Sequence, residues 1–348
     1  MTTRLPLTTL NRRHLFGSAA AVAAVGLAAC SSETSGGASD GGAGSDGGSD
    51  GTTRTLTDAT GTSVEVPVQP SKVVSLHYAG SQAMIDLGLT PIGTGPAGQG
   101  GGGDEESYVP ADIWKKLKDV PIVLQQQEPK IEEIAALGPD LILAPNILED
   151  DVLAQLRRVA PVFQFTLRGG KRADWQQRVR EVADALNRET QLEELTTAWE
   201  GELGAAAANY ADVTAGLVVG VIASYEEGNF YAWGEDNMQG TILMPLGITW
   251  SPMENAAVAA EKEPEATISN ERLLEVVGDA QVLFYDTNLK DEPSATMVAV
   301  QQTSLYQQLP AVLAGHAYPF GKNTIAGFSD ARAVLLKVSA GLDAYLGA

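Results

Sequence analysis

The chain has 348 residues, with 23 Lys and Arg against 44 Asp and Glu, a formal net charge of −21, one cysteine and three histidines. So acidic a body is repelled by nucleic acid and by anionic lipid, which excludes both as charge-driven partners. One cysteine excludes an intrachain disulfide framework, and three histidines, one of them His14, argue against a His-rich zinc or manganese site.

The first 29 residues read as a secretory signal, with a basic start (Arg4, Arg12, Arg13) and an apolar run over 15–29 that is shorter than the ~20 residues a spanning helix needs. Its end, Leu27-Ala28-Ala29-Cys30, resembles a bacterial lipobox, which implies cleavage before Cys30 and a lipid on its sulfur. Arg12-Arg13-His14-Leu15-Phe16 resembles the twin-arginine motif, with general secretory export as the alternative. Removing the signal leaves 20 Lys and Arg against 44 Asp and Glu, a net of −24. Residues 31–53 are mostly Gly, Ser, Asp and Thr, with Glu33, Ala38 and Ala43 and almost no apolar side chain, so they cannot offset the entropy of ordering. They form a coil reaching roughly 25–30 Å, a tether between membrane and folded part.

Beyond the tether, about 295 residues suffice for two cores. Strand and helix patterns alternate: strand 72–76 (KVVSL), helix 81–87 closed by Gly88, strand 90–93, strand 120–124 (VPIVL), helix 131–137 ending at Gly138-Pro139, strand 140–144 (DLILA), helix 150–159 and strand 161–166. This spacing predicts a mostly parallel sheet flanked by helices. Residues 173–208 are helical in pattern, with Asn187 marking a break and the second piece, 189–209, about 30 Å long. Alternation restarts with strand 217–223, strand 230–233, helix 238–245, helix 269–277, strand 281–285, strand 318–320 and helix 331–346.

No Walker-type phosphate loop, His-Glu-x-x-His or Gly-x-Ser-x-Gly occurs. Four stretches, however, form a pattern: TDATGTSVEVPVQPSKVVSL with DLGL at 86–89, PKIEEIAALGPDLIL at 129–143, WGEDNMQGTILMPLG at 233–247 and ISNERLLEVVGDAQVLFY at 268–285. In this order they resemble the iron-siderophore substrate-binding proteins of bacterial ABC transporters. The resemblance implies two doubly wound α/β lobes joined by one long rigid helix, with a ligand cleft between them. The domains become a signal (1–29), lipidated Cys30 with linker (30–53), an amino-terminal lobe (54–187), a connecting helix (188–210) and a carboxyl-terminal lobe (211–348). It also implies no catalysis and no cofactor, an Fe(III)-siderophore as ligand, an ABC permease as partner, a lipid-anchored extracytoplasmic location and a monomer. Haem or a corrinoid is the alternative cargo, and a secreted hydrolase the remote one.

Ligands of open α/β sheets sit beyond the carboxyl ends of the strands. The expected contacts are therefore His77 and Tyr78 after KVVSL, Gln127 after VPIVL, Asn146 after DLILA, Arg168 after VFQFT, Tyr225 after VVGVIAS, Trp233 after NFYA, and Thr287 and Asn288 after VLFYD, with Tyr108 from the preceding glycine-rich loop. A ferric siderophore has its metal already coordinated, so aromatic walls and a few donors are expected rather than direct metal ligands. His77 is also the residue that would ligate haem iron. Glu132 in KIEEI and Glu271 in SNERL match the family's permease-docking glutamates, with Glu133 as the nearest rival. Few cleft cations stand against Glu128, Glu226, Glu227, Glu235 and Asp236, which favours a neutral or cationic complex such as a hydroxamate.

Overall fold

The computed structural model describes residues 52–97, 105–125, 128–169, 174–261 and 265–347. Cys30, the signal, most of the tether and Gln127 lie outside them. Residues 51–348 form one compact unit, and within it two sheets flank a long helix.

The first lobe opens on an antiparallel hairpin, β1 (Thr53–Thr57) and β2 (Ser63–Pro67). Asp58 shapes its turn, because Oδ1 accepts the amides of Thr60 and Thr62 and the Thr60 hydroxyl. The main sheet is wholly parallel, in the order β4 (Gly93–Thr94), β3 (Val73–Ser75), β7 (Leu141–Pro145), β8 (Val162–Phe165). Every residue of β3, β7 and β8 is buried, as a parallel strand covered on both faces requires. Helices α1 (Tyr78–Asp86), α2 (Ala111–Leu117), α3 (Ile131–Leu137) and α4 (Asp150–Leu156) accompany these strands. Ile134, Leu153 and Leu156 pack on Val74, Ile142 and Val162.

The expected strand 120–124 is reduced to a single bridge from Ile122 to Thr94. The chain then forms a two-residue antiparallel pair, β5 (Leu124–Gln125) with β6 (Glu128–Pro129). Pro121 has no N–H, so the run loses ladder donors where it would join the sheet.

Helix α5 (Trp175–Leu186) ends at Asn187, whose φ of 56° is left-handed, and α6 (Glu189–Thr214) begins two residues later. With 26 residues α6 is ~39 Å long, five residues more than the sequence pattern marked. Its Trp199 meets Trp175 of α5 edge-on at 6.1 Å, and Trp175 meets Phe328 at 5.1 Å.

The second lobe contains β9 (Val218–Ala223), β10 (Asn229–Trp233), α7 (Gly240–Leu243), β11 (Thr249–Trp250), α8 (Pro252–Glu261), β12 (Glu265–Ser269), α9 (Leu273–Val277), β13 (Val282–Asp286), α10 (Ala295–Gln301), α11 (Pro310–Leu313), β14 (Ala317–Gly321) and α12 (Phe328–Gly347). Its sheet runs β12-β10-β9-β13-β14, with β11 also on β9. Strands β9, β11, β13 and β14 are parallel, whereas β10 and β12 run antiparallel to their neighbours. The reversal follows from chain length: only residues 224–228 link β9 to β10, enough for a hairpin and too few for a crossover. The expected helix 269–277 is likewise split, since Ser269 ends β12 and the α-helix starts at Leu273.

Where β10 and β11 diverge from β9, a carboxylate fills the fork. Glu254 of α8 is fully buried; its Oε2 accepts the Val221 amide at 3.0 Å and its Oε1 the Trp233 amide at 2.8 Å. These are amides the ladder leaves unpaired, and burial pushes the carboxyl well above the usual carboxylate range.

Candidate functional site

The carboxyl ends of β3 and of β14 meet. Lys322, directly after β14, lies with its Nζ 3.4 Å from the Tyr78 hydroxyl, 4.6 Å over the Tyr78 ring and 2.9 Å from the carbonyl of Tyr108. Beside it the Leu289 amide donates to the Ser107 carbonyl at 2.8 Å. Loops that follow strands of one lobe therefore face those of the other.

The junction is polar and buried. Lys322 pairs with Asp330 of α12 at 2.7 Å, with side chains 5% and 0% exposed. Tyr78 donates to Gln82 Oε1 and lies 3.4 Å from Asp330. One turn on, Asp86 accepts the Ser329 hydroxyl at 2.5 Å. Burial first, then Asp330 and Asp86, raise the Tyr78 phenol well above its ordinary value. Burial pushes Asp86 up to about 6 against its Ser329 hydrogen bonds. Asp286, the last residue of β13, is pushed by burial up to about 8, although the Asn323 amide and Lys322 pull it down. Tyr78 thus stands at the joint between lobes, with its hydroxyl already committed.

His77 caps α1: its Nδ1 accepts the Ala79 amide at 3.1 Å, so the proton of the neutral ring sits on Nε2. Burial and the positive charge of Arg178 lower its pKa to about 4. Arg178, on α5 and 4% exposed, is a site neighbour that sequence reasoning missed. Its spacing from Trp175 and Val182, three and four residues, was the available signal, because it places Arg178 on the helix's buried stripe.

The remaining expected contacts divide into two kinds. Asn146 ties down the turn after β8: its Oδ1 accepts the amides of Leu167 and Arg168, and its Nδ2 donates to the Arg168 carbonyl. The Arg168 residue itself is exposed. Thr287 is buried with its hydroxyl on the Asn288 carbonyl, and Asn288 Oδ1 accepts the amides of Lys290 and Glu292. Asn146, Thr287 and Asn288 frame loops, while Tyr108 is half-buried, with Asp286 and Glu292 near enough to raise its phenol further after burial.

Beyond the end of β9 lies an aromatic ladder. Tyr225, 37% exposed, tilts against Tyr231 at 5.0 Å, and Tyr231 stacks on Trp233 at 6.4 Å. Tyr231 was not among the expected residues; alternation in NFYAW puts it on the face of Trp233, a signal that was legible. Trp233 is the last residue of β10, as the expected strand 230–233 has it. It is buried, and its indole N–H has no hydrogen-bond partner among the described residues. Its carbonyl accepts Trp250 Nε1 at 2.8 Å, and its amide is held by Glu254.

Residues 73–324 match the family described as periplasmic binding protein, which covers well over half of the chain. The chain belongs to that family. It is 28% identical over 297 residues to a probable siderophore-binding lipoprotein, YfiY, of Bacillus subtilis, covering 84% of this chain and 85% of that one. The siderophore periplasmic binding protein from the fuscachelin gene cluster of Thermobifida fusca superimposes with a TM-score of 0.66 at 24% identity, covering 80% of this chain and 98% of the other. A periplasmic solute binding protein of Mycobacterium smegmatis gives a TM-score of 0.68 at 20% identity, covering 86% and 100%. The molecule is accordingly a solute-binding protein and not an enzyme. Its two-lobe α/β architecture is that of these structures.

In this binding protein the two glutamates singled out for docking lie on different lobes, both exposed: Glu132 in the first turn of α3, and Glu271 in the 3-10 turn between β12 and α9. Neither forms an ion pair among the described residues. Glu133, the rival, is 3.4 Å from Lys130, and Glu275 is engaged by Arg272 at 2.6 Å.

Proposed function

We propose that the protein is an extracytoplasmic lipoprotein, anchored through Cys30, that captures a ferric siderophore between its lobes and delivers it to an ABC importer. The observation that carries the ligand class is the ladder Tyr225–Tyr231–Trp233. A bulky complex with its iron already coordinated gains from stacked apolar walls, and the ladder runs from an exposed ring to a buried one with a spare indole donor. The relatives named for siderophore binding point the same way.

A hydroxamate is favoured over anionic catecholates and citrate. Of the two buried cations at the junction, Lys322 is committed to Asp330 and Arg178 lies beside His77, while the loop next to Tyr225 presents the exposed Glu226 and Glu227. An anion buried there lacks paired charge. Haem held by His77 fits less well. Iron needs the Nε2 lone pair, which places the proton on Nδ1, and Nδ1 is already the acceptor for the Ala79 amide.

The test is a titration of residues 54–348, the compact unit, with ferrioxamine, ferrichrome, a ferric catecholate, ferric citrate and haem, followed by tryptophan fluorescence. Saturable quenching by the hydroxamates is expected. Indifference to every siderophore overturns the reading, and a Soret shift lost in His77→Ala replaces it with haem.

A further inference from the structure

Lys322 is enclosed at the junction, at 4% exposure, and its partners come from both lobes. From its own lobe it has Asp330 at 2.7 Å, and Asp286 ends the neighbouring strand. From the other lobe it takes the Tyr108 carbonyl at 2.9 Å, the Tyr78 hydroxyl at 3.4 Å and the face of the Tyr78 ring at 4.6 Å. The 3-10 turn Glu105–Tyr108 is gripped twice, once by Lys322 and once where the Leu289 amide meets the Ser107 carbonyl.

The two sets differ in what happens when the lobes part. Asp330 and Lys322 travel together, and their ion pair survives in either arrangement. Tyr108 and Tyr78 leave, and the ammonium must then find water. Besides the Asp86–Ser329 hydrogen bonds, the junction holds contacts of another kind: Trp175 packs on Trp199 and Phe328 with its indole on Thr241. Those contacts join α5, α6, α7 and α12 in an apolar seam that separates only at a hydrophobic cost. Such a seam suits a pivot, and the ammonium suits the contact that opens.

We infer that Lys322 is a latch that sets the separation of the two lobes, holding the turn Glu105–Tyr108 and Tyr78 of the first lobe against Asp330 of the second. This rests on the proposed reading only insofar as the ligand enters between the lobes; the latch itself is a property of the unliganded chain.

The test uses the full chain with Cys30→Ser, in which Ala136→Cys on α3 and Ala260→Cys on α8 supply the only two thiols for spin labels. Without ligand, the latched chain is expected to give one narrow distance distribution. Lys322→Met is expected to broaden it and shift it to longer separation, and Lys322→Arg to restore most of it. Tyr78→Phe, which removes only the hydroxyl, should give an intermediate broadening. Should Lys322→Met fail to fold because Asp330 is left buried and unpaired, Lys322→Met with Asp330→Asn supplies the same readout. A folded variant with the unaltered distribution overturns the latch. If the wild type binds a ferric hydroxamate, the Met variant should also release it several-fold faster. If it binds no siderophore, the distances still decide the latch while the proposed function falls separately.

Discussion

At the scale of single residues, three groups near the lobe junction have displaced pKa values of opposite sign. Asp286 is raised from 3.8 to about 8, so its contribution to stability is complete below pH 4 and is lost as pH rises toward 8. Asp86, raised to about 6, behaves alike, with most of its titration complete by about pH 7. His77, depressed from 6.5 to about 4, contributes above pH 6.5 and loses its contribution as pH falls to 4. Between pH 6.5 and 8 the histidine has only the second half of its unfolded-state titration left to gain, while Asp286 is ionising through most of its own. Melting temperature should fall over that interval, each pKa unit corresponding to ~1.4 kcal/mol at most. Asp286→Asn should flatten most of the fall. A Tm that rises from pH 6.5 to 8 in the wild type contradicts the sign. Sequence reading brought His77 and Tyr78 to the right strand end. It could not tell that the hydroxyl of one and the Nδ1 of the other are already engaged, because the partners are Asp330 and a helix amide set by the fold.

At the scale of elements, local chemistry was legible where a cap or a period decided it. The left-handed Gly138 and Asn187 end α3 and α5 where their residue types predict. The direction of β10 was not read, although the five residues before it require a hairpin. The consequence is a ladder whose members differ in what they can contribute. Tyr225 is the most exposed member, so Tyr225→Ala should leave stability within ~0.5 kcal/mol. It should weaken ferric hydroxamate binding about 5- to 10-fold, the worth of one lost aromatic contact. Trp233→Ala, by contrast, empties a buried site and should cost ~3 kcal/mol or more in chemical denaturation. Equal loss of stability in both variants would count against the division.

At the scale of the whole molecule, a binding protein on one long helix presents two exposed carboxylates, one per lobe. If Glu132 and Glu271 meet cations of a permease, Glu132→Ala with Glu271→Ala should reduce iron uptake at least 10-fold while ligand titration of the isolated protein is unchanged. Unaltered uptake in the double variant removes both from docking. The strand and helix alternation, the helix breaks and the acidic balance were determined by the sequence alone, because periodicity, caps and net charge are local or additive. The four family stretches added the two-lobe plan. Tertiary structure alone decided which side chains meet: Tyr78 and Lys322 are 244 positions apart, and Arg178 reaches His77 only through the packing of α5 on α1. The physical reason is that a buried polar group takes whatever partner the packed chain brings within hydrogen-bond reach. That partner is chosen by the closure of the whole fold, and no local pattern of residues encodes it.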